Sequence, residues 1–183
     1  MKIGIILGST REGRVGQPIA DWVLAQAQSR QGSANYELID LKAFDLPFFT
    51  GAVAPRALEK KYKDPKVKAW SEKIDSLDGF VFVTAEYNRS LPAPFKNAFD
   101  TLASEWQQKP LAFVGYGYGS SGRDAVAAWR QVVTVMQMPA VDTQLAINLR
   151  SELLEGNFVP AQGQDASLGS ILEELEELVL KNK

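Results

Sequence analysis

The sequence predicts an α/β fold: a doubly wound, five-stranded parallel sheet with helices on both faces. Three observations carry that reading. Short apolar runs alternate with segments of helical periodicity along the whole chain. The runs are continuous rather than alternating apolar and polar, so both faces of the sheet are covered. Three of the runs also end in loops of unusual composition, at the strand ends where open α/β sheets bind ligands.

Ile3 to Leu7 forms the first strand and stops at Gly8-Ser9-Thr10. From Gly16 onward, Ile19, Trp22, Val23 and Ala27 recur at helical spacing until Gly32-Ser33. Tyr36 to Leu41 is the second strand, followed by an irregular stretch from Lys42 to Lys63 that holds Pro47 and Pro55. Val67, Trp70, Ile74 and Leu77 mark the second helix, and Gly79 to Thr84, β-branched and aromatic, the third strand. Phe95, Ala98, Phe99 and Leu102 give the third helix, and Leu111 to Val114 the fourth strand. Val126, Trp129, Val133 and Met136 give the fourth helix, which Pro139 stops. Val141 to Ile147 is expected as the fifth strand. Leu168, Ile171, Leu172, Leu175 and Val179 form a last amphipathic helix, with Glu173, Glu174, Glu176 and Glu177 expected on its wet side. Trp22, Trp70 and Trp129 share apolar stripes; Trp106 is a candidate for a subunit interface. Without repeat or linker, residues 1–183 read as a single domain.

Composition narrows the chemistry. Lys and Arg total 20 against 22 Asp and Glu, a net charge of −2, so nucleic acid is not the expected partner. The chain contains no His and no Cys, which excludes within it a Ser-His-Asp triad, a Cys nucleophile, an iron–sulfur cluster and the usual zinc sites. A cofactor that brings its own reactivity fits such a chain. No targeting signal or membrane span is legible, so a cytoplasmic protein with no membrane partner is expected. Lys60, Lys61, Lys63, Lys66 and Lys68 read as a solvated basic run, with a contact to the extra phosphate of NADPH as the alternative.

The first loop, Gly8 to Gln17, combines glycines, the hydroxyls of Ser9 and Thr10 and the guanidinium groups of Arg11 and Arg14 just before a helix start. Those are the parts of a phosphate site. Arg14-Val15 stands after Gly13 where a Walker motif needs Lys-Ser or Lys-Thr, and Gly8, Gly13 and Gly16 have the wrong spacing for a dinucleotide fingerprint. Asp40, at the end of strand two, is therefore discounted as a ribose ligand. The second loop places Glu86, Tyr87, Asn88, Arg89 and Ser90 in succession; Tyr87 suits a flat ring, and Asn88 and Ser90 also suit a helix cap. The third, Gly115 to Arg123, holds four glycines and two tyrosines and can lie close against a planar group.

Together these loops resemble the NADPH-dependent FMN reductase family of flavodoxin-like proteins, over roughly residues 2 to 150. Gly8-Ser9-Thr10-Arg11 with Gly13-Arg14-Val15-Gly16 resembles its phosphate loop. Glu86-Tyr87-Asn88-x-Ser90-x-Pro92 followed by Lys96-Asn97-Ala98-Phe99-Asp100 resembles its flavin-ring motif, and Gly115-Tyr116-Gly117 with Arg123 its third loop. Ala85, Thr101 and Ser120-Ser121 depart from the common pattern. The resemblance implies non-covalent FMN, with Ser9, Arg11, Gln17 and the backbone around Val15 and Gly16 at the phosphate. It implies Glu86, Tyr87 and Asn88 at the ring, with Tyr116, Gly117 and Ser120 across from them. It also implies NADPH or NADH as hydride donor, a small acceptor such as a quinone, free flavin, azo compound or metal oxyanion, and a homodimer or homotetramer. The rival expectations are an electron-carrier flavoprotein and a flavin-free regulatory domain on the same fold.

Overall fold

The computed structural model describes residues 1–30 and 32–182. Strands β1 (Lys2–Leu7), β2 (Asn35–Asp40), β3 (Gly79–Ala85), β4 (Leu111–Gly117) and β5 (Leu145–Asn148) form one parallel sheet in the order β2-β1-β3-β4-β5. The order reverses between β1 and β3, which opens a crevice at their carboxyl ends. Helices α1 (Gly16–Ser29) and α6 (Gln164–Lys181) cover one face. Helices α2 (Pro65–Asp75), α3 (Ala93–Asp100) and α4 (Arg123–Thr134) cover the other. Of the three inner strands, β3 and β4 are buried along their whole length and β1 from Ile3 onward, as their apolar runs require.

The α2–α4 side is an aromatic core. Trp70, Trp106 and Trp129 are fully buried, and each indole N–H finds an acceptor: Ala98 O, Phe99 O and Thr84 Oγ1. Trp106 stacks on Phe99 at 5.0 Å, so it is a core residue and not a subunit contact. Trp22 is half-buried and meets Phe158 edge-on at 5.4 Å.

Two further expectations need correction. The fifth strand is shorter and later than Val141 to Ile147. Ala140 makes an isolated bridge to Leu111, the chain leaves the sheet at the exposed Asp142 and Thr143, and pairing resumes only at Leu145. Beyond it come a single helical turn, α5 (Leu149–Glu152), and a small hairpin, β6 (Leu153–Leu154) with β7 (Asn157–Phe158), none of which periodicity signalled. Glu176, expected on the wet side of α6, is buried. Its carboxylate accepts from Tyr36 Oη at 2.9 Å, from Arg30 at 3.2 Å and from Ser33 N at 3.3 Å, which ties α6 to the start of β2.

Candidate cofactor site at the strand ends

Three strand ends lie abreast. Leu7 is in register with Val83, and Ala85 with Tyr116. Beyond the ladder, Gly8 N donates to Val83 O at 3.0 Å and Glu86 N to Tyr116 O at 2.9 Å. The loops that follow therefore start from one edge, and they enclose a trough of about 250 Å³.

On its first side lies residues 8–15 and the start of α1. The helix begins on Val15 without a side-chain cap and has no acidic residue in its first turn. Its leading N–H groups, with the positive end of the helix dipole, face the loop. Gly16 is required here, because a Cβ at that position would stand 2.2 Å from Tyr116 Oη. The two arginines have separate roles. Arg14 forks onto Asp40, with Nη1 2.7 Å and Nη2 2.5 Å from its carboxylate oxygens, and also donates to Ser9 O and Gln17 Oε1. Arg14 is thus spent on holding the loop against the end of β2, and the expected second phosphate fork is absent. Burial alone would raise the Asp40 carboxyl; the bonds from Arg14 and from Lys42 N outweigh it and hold the group below the usual carboxylate range. Arg11 is exposed, and its guanidinium carbon lies 5.8 Å from the centre of the Tyr87 ring.

The second side is a two-residue hairpin. Tyr87 and Ser90 exchange both backbone hydrogen bonds, with Asn88 at φ 50° and Arg89 at φ 62° in the left-handed region. Asn88 and Ser90 therefore close a turn. They do not cap α3, whose N-cap is Pro92 with no side-chain bond. Tyr87 Oη lies 3.1 Å from Ser9 Oγ and so links the first two loops.

Glu86 fixes the third side. Its carboxylate accepts from Ser120 Oγ, from Ser120 N at 3.3 Å and from Asp124 N at 3.3 Å, pinning residues 118–122 and the start of α4. Gly122 sits at φ 83°, and a Cβ there would lie 2.2 Å from Gly115 C, so the loop folds back on β4 only with glycine. Behind Glu86, Tyr116 is 3% exposed, and its hydroxyl has no hydrogen-bond partner among the described residues. Burial, assisted by the neighbouring Tyr87, pushes this phenol well above its ordinary value and keeps it protonated.

Of the residues expected at the site, Ser9, Arg11, Val15, Glu86, Tyr87, Tyr116 and Gly117 line the trough together. Gly16 and Gln17 lie behind its first wall, Ser120 is turned into Glu86, and Asn88 is exposed at the turn. Tyr118 and Leu149 line it without having been singled out. Leu149 follows β5, so its place at the same sheet edge was available from the strand order alone. Among the described residues, no group of three or more acidic side chains could hold a metal ion, and no helix is long and apolar enough to cross a membrane.

The donors fit a flavin mononucleotide. An uncapped helix start, a buried serine and an exposed guanidinium suit the phosphate, and aromatic walls suit the ring. Comparison with known proteins agrees. The family model described as NADPH-dependent FMN reductase matches residues 1–152. An NAD(P)H-dependent FMN reductase of Schizosaccharomyces pombe is 36% identical over 171 residues, covering 93% of this chain and 84% of that protein. A quinone reductase of Pseudomonas putida is 30% identical over 148 residues, covering 76% and 73%. Among solved structures, the flavoenzyme NAD(P)H:(acceptor) oxidoreductase FerB of Paracoccus denitrificans superposes with a TM-score of 0.77 at 20% identity, covering 99% and 98% of the two chains.

Proposed function

We propose that this chain, which belongs to the NADPH-dependent FMN reductase family, holds FMN in the trough between its three strand-end loops and reduces a small acceptor of the quinone type. It is an FMN-containing oxidoreductase dependent on NAD(P)H. Bound FMN supplies a two-electron carrier between the nicotinamide and the acceptor. The chain's own residues bind and orient. Ser9, Arg11 and the first N–H groups of α1 would take the phosphate, with Val15, Gly16 and Gln17 shaping that wall. The backbone at Glu86–Asn88 with the Tyr87 ring, and Tyr116, Gly117 and Ser120 opposite, would flank the isoalloxazine. Glu86, fully engaged by Ser120 and Asp124 N, orients the third loop.

One observation carries the reading: the unpartnered, buried Tyr116 hydroxyl stands behind a trough that also gathers Ser9 and an uncapped helix start. The enclosed volume of about 250 Å³ falls short of the roughly 300–1,000 Å³ that swallows a drug-sized ligand whole. A bound ring would keep one face accessible to donor and acceptor in turn. The acceptor class rests on the quinone reductases among the relatives. The test is the absorption spectrum of the purified protein, release of stoichiometric FMN on denaturation, and NADPH-dependent turnover with a benzoquinone. A colourless protein that takes up no added FMN contradicts the proposal.

The same reading includes a homo-oligomer, as a dimer or tetramer. Phe48 at 73%, Phe49 at 40% and Tyr118 at 55% exposure crowd the strand-end side of the molecule, more apolar surface than a ligand needs left in water. Light scattering on the FMN-loaded protein at micromolar concentration should report at least twice the chain mass; a monomer refutes this part.

A further inference from the structure

Two more concavities lie beside the trough, and their linings touch. One, of about 350 Å³, is lined by Thr10, which stands between the trough residues Ser9 and Arg11, and by Leu41, Leu46, Pro94 and Phe48. The other, of about 520 Å³, is lined by the same Phe48 and by Val53, Leu58, Tyr62 and Val67. Phe48 is shared, so the three form one path that leads from the trough out along the surface. The divide at Phe48 is built. The Asn97 amide donates to Pro47 O and accepts from Phe49 N, both at 2.9 Å, and so clamps the backbone on either side of Phe48.

The far groove offers apolar surface and balanced charge. Two of its polar side chains are turned away from it: Thr101 Oγ1 donates to Asn97 O at 2.7 Å, and Tyr62 Oη is buried close to Glu105. Two lysines of the lining, Lys61 and Lys63, stand against two carboxylates. Glu59 holds Lys61 at 3.1 Å, and Asp64, in the lining itself, caps α2 through Lys66 N and Val67 N. Such a rim carries no net charge to attract an ion, and the apolar side chains beneath it gain by leaving water. Apolar surface with balanced charge, continuous with the cofactor trough, matches an uncharged aliphatic chain attached to the molecule that is reduced.

We infer that this path is an acceptor subsite: the quinone head reacts in the trough, and an isoprenoid or alkyl side chain on that head lies past Thr10 and Phe48 in the apolar groove, so that the enzyme favours tailed quinones over bare ones. The inference rests on the quinone-reductase reading above and deepens it, because that reading places only the head. The test is kcat and KM at saturating NADPH in the FMN-loaded protein, with a dimethoxy-methyl benzoquinone that is bare or carries one or two isoprene units. From the bare to the two-unit quinone KM should fall by about tenfold or more, a small part of what full burial of the added carbons would give, while kcat stays within about twofold. Val53→Glu and the Val53→Glu/Leu58→Glu double variant put charge into the groove; Val53 is exposed and Leu58 half-buried, so folding should survive. The single variant should lose part of the gain and the double variant most of it, while both keep their values for the bare quinone within about twofold. Geraniol, a two-unit chain without a quinone head, should compete with the two-unit quinone and leave turnover of the bare one unchanged. A KM that stays level along the series, a gain that survives in the double variant, or equal inhibition of both quinones by geraniol each overturns the inference. So does a double variant of altered mass in light scattering, which would make the groove a subunit contact. An FMN-loaded wild type that reduces neither the bare nor the tailed quinone would instead sink the quinone-reductase reading itself.

Discussion

Removing the Arg11 guanidinium tests the assignment of the phosphate wall. Arg14 is committed to Asp40 through two short bonds, so Arg11 is the one guanidinium of the loop left for an anion. Its present contact, over the ring of the half-buried Tyr87, is worth about 0.5–1 kcal/mol and is easily exchanged. A charge-assisted hydrogen bond contributes on the order of 1.5–3 kcal/mol, and each 1.4 kcal/mol is a factor of ten in affinity. Arg11→Ala should therefore raise the FMN dissociation constant roughly tenfold to a hundredfold. Riboflavin has the same ring and no phosphate, so its affinity should change by no more than about fivefold, the scale of the lost contact with Tyr87. Equilibrium titration of the apoprotein with both flavins reads the difference. Equal losses for the two ligands would show that Arg11 acts through the fold of the loop and that the phosphate lies elsewhere.

Three more outcomes follow from the same geometry. Glu86→Gln keeps the size and the acceptor oxygen while removing the charge; flavin reduction at saturating NADPH should slow by less than about tenfold, below the hundredfold or more typical of a general acid, and a loss of several hundredfold at full occupancy would assign Glu86 a direct chemical part. Because the folded Asp40 carboxyl lies below its usual range, its contribution is present above the unfolded value near 3.9 and is lost as pH falls through the lower folded value. Asp40→Asn should weaken FMN at pH 7 by about threefold to tenfold, a partly exposed pair being worth on the order of 1 kcal/mol, and should flatten the loss of FMN that wild type shows on acidification below about pH 4; an unchanged acid profile, read by ultrafiltration, would contradict the role of the Arg14 fork. Glu176→Ala strands the buried Tyr36 hydroxyl and Arg30 at a cost on the order of 2–3 kcal/mol, which lowers the melting temperature by about 5–10 °C in a domain of this size, while FMN affinity, set at the other end of the sheet, should not change.

What was legible in the sequence, and what was not, has a physical basis. The strands β1, β3 and β4 are buried on both faces, and a continuous apolar run is the direct signature of that environment. With parallel strands established, the loops after them necessarily share an edge, so the gathering of Ser9, Tyr87 and Tyr116 followed from topology. The pairing of Arg14 with Asp40 bridges 26 residues and depends on which strand end lies beside the loop, which composition does not encode. The turn at Asn88-Arg89 lacks the glycine that usually marks a two-residue hairpin, so its left-handed residues read as a cap instead. Glu176 is different, because its signal was present. It lies four residues after Leu172 and three before Val179, on the apolar stripe itself, and its charge drew it to the wrong side. The carboxylate is tolerated there because Tyr36, Arg30 and Ser33 N satisfy it.

Anaerobic single turnover shows whether the three strand-end loops form one FMN site through which NAD(P)H electrons reach a small acceptor. The purified protein, its FMN content established, is mixed with NADPH and then with a benzoquinone while the flavin absorbance is followed. The flavin band should bleach on adding NADPH and return in full on adding the quinone, with both phases lost from protein stripped of FMN and restored by adding it back. A flavin band that NADPH and NADH both leave unbleached would show that the bound flavin does not take electrons from a nicotinamide.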